Sequence, residues 1–174
     1  MNKIIIYSSK YGSAKKYALE LSKMTKINHK SVNEVDDVKS YDFIIYVAPL
    51  YAGNLRSFSK FINSFDLSKI SKLIIVSVGL TSPNDIEAYK GINKAISDKL
   101  PNYLLDKYEI FNLQGDIDYN KLIFIHKLMV KMLYSNLKKS GKKESEIVQL
   151  MENKEKKLNL INYNSLNEIK KILH

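Results

Sequence analysis

The stretch Ser8-Ser9-Lys10-Tyr11-Gly12-Ser13-Ala14 sets three hydroxyls, a cation and a glycine between an apolar run at residues 4–7 and an amphipathic stretch. At a strand-to-helix junction, free backbone N–H groups and the positive end of the helix dipole favour an anion. Such a set could cradle a phosphate. It is not a Walker A loop, because no Gly-Lys-Ser/Thr closes it, and one glycine is too few for a dinucleotide fingerprint. Its plainer reading is a polar turn capped by serine. Two further loops bear on that choice. Ala48-Pro49-Leu50-Tyr51-Ala52-Gly53-Asn54 offers an aromatic ring and a flexible Gly-Asn, while Gly79-Leu80-Thr81-Ser82-Pro83-Asn84 offers hydroxyls and backbone. A flat ring system with a phosphorylated tail needs this combination: apolar walls, hydrogen-bonding backbone at the ring edge, and a phosphate cradle.

These loops can act together only if the elements around them bring them to one side. Residues 4–7, 43–48 and 73–78 are nearly continuous apolar runs rich in β-branched residues, as expected of parallel strands buried on both faces. The run at 108–113 is interrupted by Glu109 and Asn112 and suits an edge; residues 29–33 are a weaker candidate for the other edge. Between the runs the period becomes helical: Ala14, Tyr17, Ala18, Leu21 and Met24 share one face, as do Leu55, Phe58, Ile62 and Phe65. Ile86, Tyr89, Asn93 and Ile96 repeat the pattern after Ser82-Pro83-Asn84-Asp85, where Ser82 is the expected N-cap and Pro83 the first helical residue. The alternation predicts one α/β domain over 1–174, a doubly wound sheet with helices on both faces. Ligands of such sheets sit beyond the carboxyl ends of the strands, where the three loops lie.

The last third departs from that plan. Residues 121–137 carry Leu122, Ile125, Met129 and Leu133 on one face, and Ile123, Val130, Tyr134 and Leu137 widen the stripe beyond what one sheet face covers. Lys127, Lys131 and Lys138 line the opposite side. The terminal amphipathic piece, with Leu166, Ile169, Ile172 and Leu173, is expected to cover the excess apolar surface.

With no cysteine, a disulfide scaffold, thiolate zinc and thiol catalysis are excluded. The net charge is +10, of which residues 121–174 hold +7 (12 basic, 5 acidic). Only Arg56 among the 28 basic residues is arginine, which argues against a dedicated reader of nucleic-acid sequence. His29, His126 and His174 show no metal spacing, and His126 is expected to be packed or solvent-facing within its helix. There is no Gly-x-Ser-x-Gly elbow of a hydrolase, and Ser8 and Pro49 stand where a phosphoacceptor fold needs carboxylates. No apolar run approaches the roughly 18 residues of a membrane span, so a cytoplasmic protein is expected, with a peripheral place at a membrane surface as the alternative.

The residues 8–13 resemble the phosphate loop of flavodoxins, hydroxyl residues flanking a glycine. Residues 45–53, ending in Leu50-Tyr51-Ala52-Gly53, resemble the second flavin loop of the flavodoxin branch that includes menaquinone-dependent protoporphyrinogen oxidase. Gly115-Asp116-Ile117-Asp118-Tyr119 is similar to that branch's loop after the fifth strand, and Asn162-Tyr163-Asn164-Ser165-Leu166 to its tail before the terminal helix. Ala14 departs from the pattern, standing where the loop usually ends in a hydroxyl; one lost hydrogen bond weakens binding by about 0.5–1.5 kcal/mol.

The resemblance implies a flavodoxin-like five-stranded sheet of order 2-1-3-4-5, with FMN as cofactor. It places the phosphate on Ser8, Ser9, Lys10, Tyr11, Gly12, Ser13 and Ala14, and the ring on Pro49, Leu50 and Tyr51. The backbone of Ala52, Gly53 and Asn54 would meet the N5 edge, with Gly79, Leu80, Thr81, Ser82, Gly115 and Asp116 completing the site. It points to an FMN-dependent oxidoreductase passing electrons to a quinone-type acceptor. An electron carrier without a substrate of its own is the alternative, and a Lys-rich nucleic-acid-binding domain the lesser one. The basic residues 121–174 would dock on an anionic membrane surface or an acidic protein.

Overall fold

The computed structural model describes residues 1–174 apart from 52, 83, 142–144 and 174. Five strands form the main sheet: β1 (Lys3–Tyr7), β2 (His29–Ser31), β3 (Phe43–Tyr51), β5 (Lys72–Gly79) and β6 (Tyr108–Gln114). All pair in parallel in the order β2-β1-β3-β5-β6, which is 2-1-3-4-5 when these five alone are counted. The fold is therefore flavodoxin-like α/β, as expected. The middle strands are apolar throughout because both faces are covered: Ile4, Ile5 and Ile6 are consecutive and all fully buried. Strand β2 is short and exposed, and β6 is only partly buried, as suits edges.

Side chains alternate between two cores. Ile4, Ile6, Ile44, Tyr46 and Ile75 meet α2 (Phe58–Ser64) and α3 (Ile86–Ser97) on one face. Ile5, Ile45, Ile74 and Val76 meet α1 (Ser13–Thr25) and the terminal helix α6 (Leu166–Leu173) on the other. Helix α6 buries Leu166, Ile169 and Leu173 against α1. This corrects the expectation that the terminal piece covers the preceding long helix. An amphipathic stripe finds the largest uncovered apolar face within reach, and here that is the sheet beside α1.

The long helix α4 runs Phe124–Lys139, later than the period suggested, because Tyr119–Lys121 form a short 3-10 turn and Leu122 is extended. No described residue of α4 is buried. It packs on α5 (Glu146–Glu152), and a small ribbon of β7 (Ile117–Asp118) and β8 (Lys157–Leu158) closes this annex around Tyr119, Leu122 and Leu150. Two further details differ. Leu55 lies in β4 (Asn54–Leu55), a strand folded back on β3, and not on α2. Asp85 caps α3 in place of Ser82, its carboxylate accepting from Ala88 N–H at 3.0 Å. Aspartate at that position also sets a negative charge at the positive end of the helix. Pro83 lies outside the described residues.

Candidate functional site

The loops after β1, β3, β5 and β6 open onto one cleft of about 1490 Å³ at the carboxyl ends of the strands. The cleft begins at α1. Gly12 precedes the helix at φ +104°, a conformation that side-chain-bearing residues rarely adopt, and nothing lies within 4 Å of where its Cβ would stand. The first intrahelical bond runs from Lys16 N–H to Gly12 O at 2.9 Å, so the amides of Ser13, Ala14 and Lys15 have no carbonyl partner in the helix. Ser9, Gly12, Ser13 and Ala14 all line the cleft around this helix end. An open cradle whose amides have no partner within the helix fits a phosphate group.

The second wall is a two-residue hairpin. Leu50 pairs with Leu55 and Tyr51 with Asn54, leaving Gly53 at the tip with φ +75°. Pro49, Leu50, Tyr51 and Gly53 line the cleft, as do Gly79 at the end of β5, Leu80, Thr81 and Ser82 after it, and Gly115 and Asp116 after β6. Gly115 is the tightest joint. A Cβ there would stand 2.9 Å from Val78 Cγ1 and 3.0 Å from Ser13 Cβ, and its N–H donates to Gly79 O at 2.8 Å. Only a glycine lets the β6 loop lie this close to the start of α1.

Several expected residues are used differently. The Ser8 side chain is buried and donates to Ser57 Oγ at 3.3 Å, off the cleft lining. Lys10 holds its ammonium 5.7 Å from the Tyr11 ring centroid and is likewise off the lining. Asn54 accepts from Lys99 Nζ at 2.7 Å on the exposed side of the hairpin. Asp116 lines the cleft, but its carboxylate accepts from Lys16 at 2.8 Å and from the amides of Leu160 and Ile161 at 3.0 and 3.1 Å. It works as a staple between α1 and the tail. Ala52 lies outside the described residues.

The third wall comes from the annex. His126, Met129, Val130, Met132 and Leu133 of α4 line the cleft. His126 lies against the expected flavin loops: its ring centroid is 4.6 Å from that of Tyr51 and 5.6 Å from that of Tyr11. Ile123 N–H donates to Tyr11 Oη at 3.3 Å, and the Tyr11 hydroxyl is 2.8 Å from His126 Nδ1. Partial burial, with Lys10 and Arg56 nearby, holds His126 below the usual imidazole range. Burial, with Tyr11 beside it, pushes the Tyr51 phenol up to about 12, so both rings are neutral at pH 7. His126 is thus packed, one of its two expected placements, and its partners are the tyrosines of the cleft. Its spacing held no signal, since the contact depends on α4 folding back over the loops.

Residues 4–146 match the family model for the flavodoxin domain. The chain belongs to that family, whose cofactor is FMN. No curated protein matches the sequence. Among solved structures, the fold is similar over 99% of this chain and 98% of the other to the FMN-dependent NADH-azoreductase of Bacillus anthracis str. Ames Ancestor, solved in complex with FMN, at 13% identity and a TM-score of 0.51. An NAD(P)H:quinone oxidoreductase from Methanothermobacter marburgensis matches at 11% identity and a TM-score of 0.45, with 65% of this chain and 83% of that one covered. Two-electron reduced Megasphaera elsdenii flavodoxin matches over the same shares at 17% identity and a TM-score of 0.42.

Proposed function

We propose that this flavodoxin-domain protein is an FMN-dependent oxidoreductase of the protoporphyrinogen oxidase-like branch that delivers electrons to a quinone-type acceptor. The observation that carries the reading is the convergence of four strand-end loops on one cleft that joins a helix-end cradle to an aromatic wall. Ser9, Ser13 and the amides that open α1 would hold the phosphate. Leu50 and Tyr51 would wall the ring, and Gly53 at the hairpin tip would meet its edge. FMN, when bound, supplies the redox chemistry. The chain's own residues orient it, while Met129, Val130 and Leu133 would line the outer side of the cleft with apolar groups.

An electron carrier without a substrate needs no room beyond its flavin. A cleft of about 1490 Å³ exceeds the roughly 300–1,000 Å³ of an ordinary small-molecule site, which favours space for a second molecule. The basic residues 121–174 would serve docking to an acidic redox partner or an anionic surface.

The test is titration of the purified chain with FMN, followed by quenching of flavin fluorescence. Gly12→Ala should weaken binding, because the added methyl enters the cradle and the residue resists φ +104°. No quenching by wild type would refute the flavin reading. With FMN bound, one equivalent of 2-methyl-1,4-naphthoquinone should rapidly reoxidise the chemically reduced protein, two electrons passing from each reduced flavin to one quinone; reoxidation no faster than that of free reduced FMN would favour the carrier.

A further inference from the structure

Helix α4 has two apolar faces, and only one belongs to the cleft. His126, Met129, Val130 and Leu133 line the cleft, whereas Phe124, Ile125 and Leu128 lie off it, and Met132 continues their row at the cleft's rim. Phe124 and Leu128 do not line the cleft, and they are 82% and 43% exposed; Met132 at the row's end is 59% exposed. Residues 124, 128 and 132 stand one turn apart, so their side chains form a continuous ridge. Lys127 and Lys131 border that ridge along one side, also one turn apart. Among the described residues neither has a carboxylate within ion-pair distance, whereas Lys138 is held by Glu152 on α5 at 3.1 Å. Residues 119–141 contain five lysines and no aspartate or glutamate.

We propose that this outer face of α4 docks on an anionic phospholipid surface, with the ridge in the headgroup–acyl boundary and the lysines on lipid phosphates. Bulky apolar residues on one side and lysines beside them are what an interfacial helix requires. Charge selects the occupant. A second copy brought ridge to ridge would set one lysine-rich, acid-free helix against another, whereas an anionic bilayer neutralises it. The helix lies on the surface, since no described helix is long and apolar enough to cross a membrane. Because the inner face of the same helix lines the cleft, docking brings the cleft to the membrane, where an apolar acceptor dissolves. The inference rests on the helix and stands without flavin binding.

The test is sedimentation of the full chain with phosphatidylcholine vesicles, with and without phosphatidylglycerol. The protein should sediment with the anionic vesicles alone in about 0.1 M salt and be released in about 1 M salt, where the screening length falls from about 10 Å to about 3 Å. Lys127→Gln/Lys131→Gln should lower partitioning about 25-fold, at about fivefold per lysine. Phe124→Ser/Leu128→Ser should lower it at least about tenfold. Both residues are exposed and off the cleft, so the circular dichroism and FMN titration of that variant should match wild type. Loss of FMN binding with normal vesicle binding would fault the flavin reading alone. Absence of binding to anionic vesicles, equal binding to both kinds, or wild-type binding by the double-serine variant would overturn the proposal. A wild-type dimer that becomes monomeric in the double-serine variant would overturn it in favour of a second copy.

Discussion

Gly115→Ala isolates the joint on which the cleft depends. The new methyl would stand 2.9 Å from Val78 Cγ1 and 3.0 Å from Ser13 Cβ, both closer than carbon atoms settle. Neither neighbour yields easily. Val78 is a buried residue of β5 with one stiff torsion, and Ser13 Cβ is fixed by the backbone at the start of α1. Relief requires the β6 loop to move away from α1, which strains the Gly115-to-Gly79 bond and the bond from Ser13 Oγ to Asp116 O at 3.2 Å. Overpacking of this kind costs about 1–3 kcal/mol. With a urea slope near 2 kcal/mol/M, the unfolding midpoint should fall by about 0.5–1.5 M. The same movement spreads the cradle, so FMN affinity should fall with it. Gly91→Ala supplies the control. Gly91 lies within α3 with nothing inside 4 Å of an added Cβ, and replacing a helical glycine should stabilise by about 0.5–1 kcal/mol. A Gly115→Ala protein as stable as wild type would refute the reasoning from close approach, all the more if Gly91→Ala moves the midpoint upward as expected.

Two other substitutions probe the aromatic wall. Tyr51→Ala should cost about 0.5–1.5 kcal/mol of FMN affinity, a rise in Kd of about 2- to 12-fold, and shift the bound flavin's visible spectrum; an unchanged spectrum would place the ring elsewhere. His126 titrates below the imidazole's ordinary value of 6.5 in the folded protein, so between those two values the unfolded chain binds more protons. Its contribution to stability is complete above about pH 6.5 and lost as pH falls through the folded value. Urea midpoints at about pH 7.5 and about pH 5 should therefore show a smaller acid loss in His126→Gln than in wild type, and equal losses would refute the burial of His126 beside Tyr11 and Tyr51.

Strands and cleft position were legible because each depends on a local signal, whereas the strand order followed from the resemblance to flavodoxins. Three consecutive fully buried isoleucines in β1 can arise only where both faces are covered, and the loops that follow such strands must lie at the sheet's carboxyl edge. The roles of single polar residues were less legible. Ser8, Ser9 and Ser13 are equivalent in sequence, yet Ser8 is turned to Ser57 while the other two line the cleft. Which way a serine points after a strand depends on the pleat and on the neighbour it finds. Ser57 stands 49 residues away, at φ +58°. Asp116 is similar: nothing in its neighbours announces that Lys16 and the amides at 160 and 161 will occupy its carboxylate.

The apolar stripe of α4 shows how a correct observation can lead to a wrong partner. Its excess width implies more apolar surface than one contact can cover, and a terminal amphipathic helix is the nearest candidate to cover it. The terminal helix instead seals the sheet beside α1, where Ile5, Ile45 and Ile74 present a larger fully apolar face. That choice leaves α4 packed in the annex and along the cleft, with Phe124 and Leu128 exposed. The width then has another meaning: one half of the stripe walls the site through His126, Met129 and Leu133, and the other half meets whatever the whole molecule meets. Both halves belong to one helix, and the inner one reaches the strand-end loops through His126, whose ring lies 5.6 Å from that of Tyr11 and 4.6 Å from that of Tyr51.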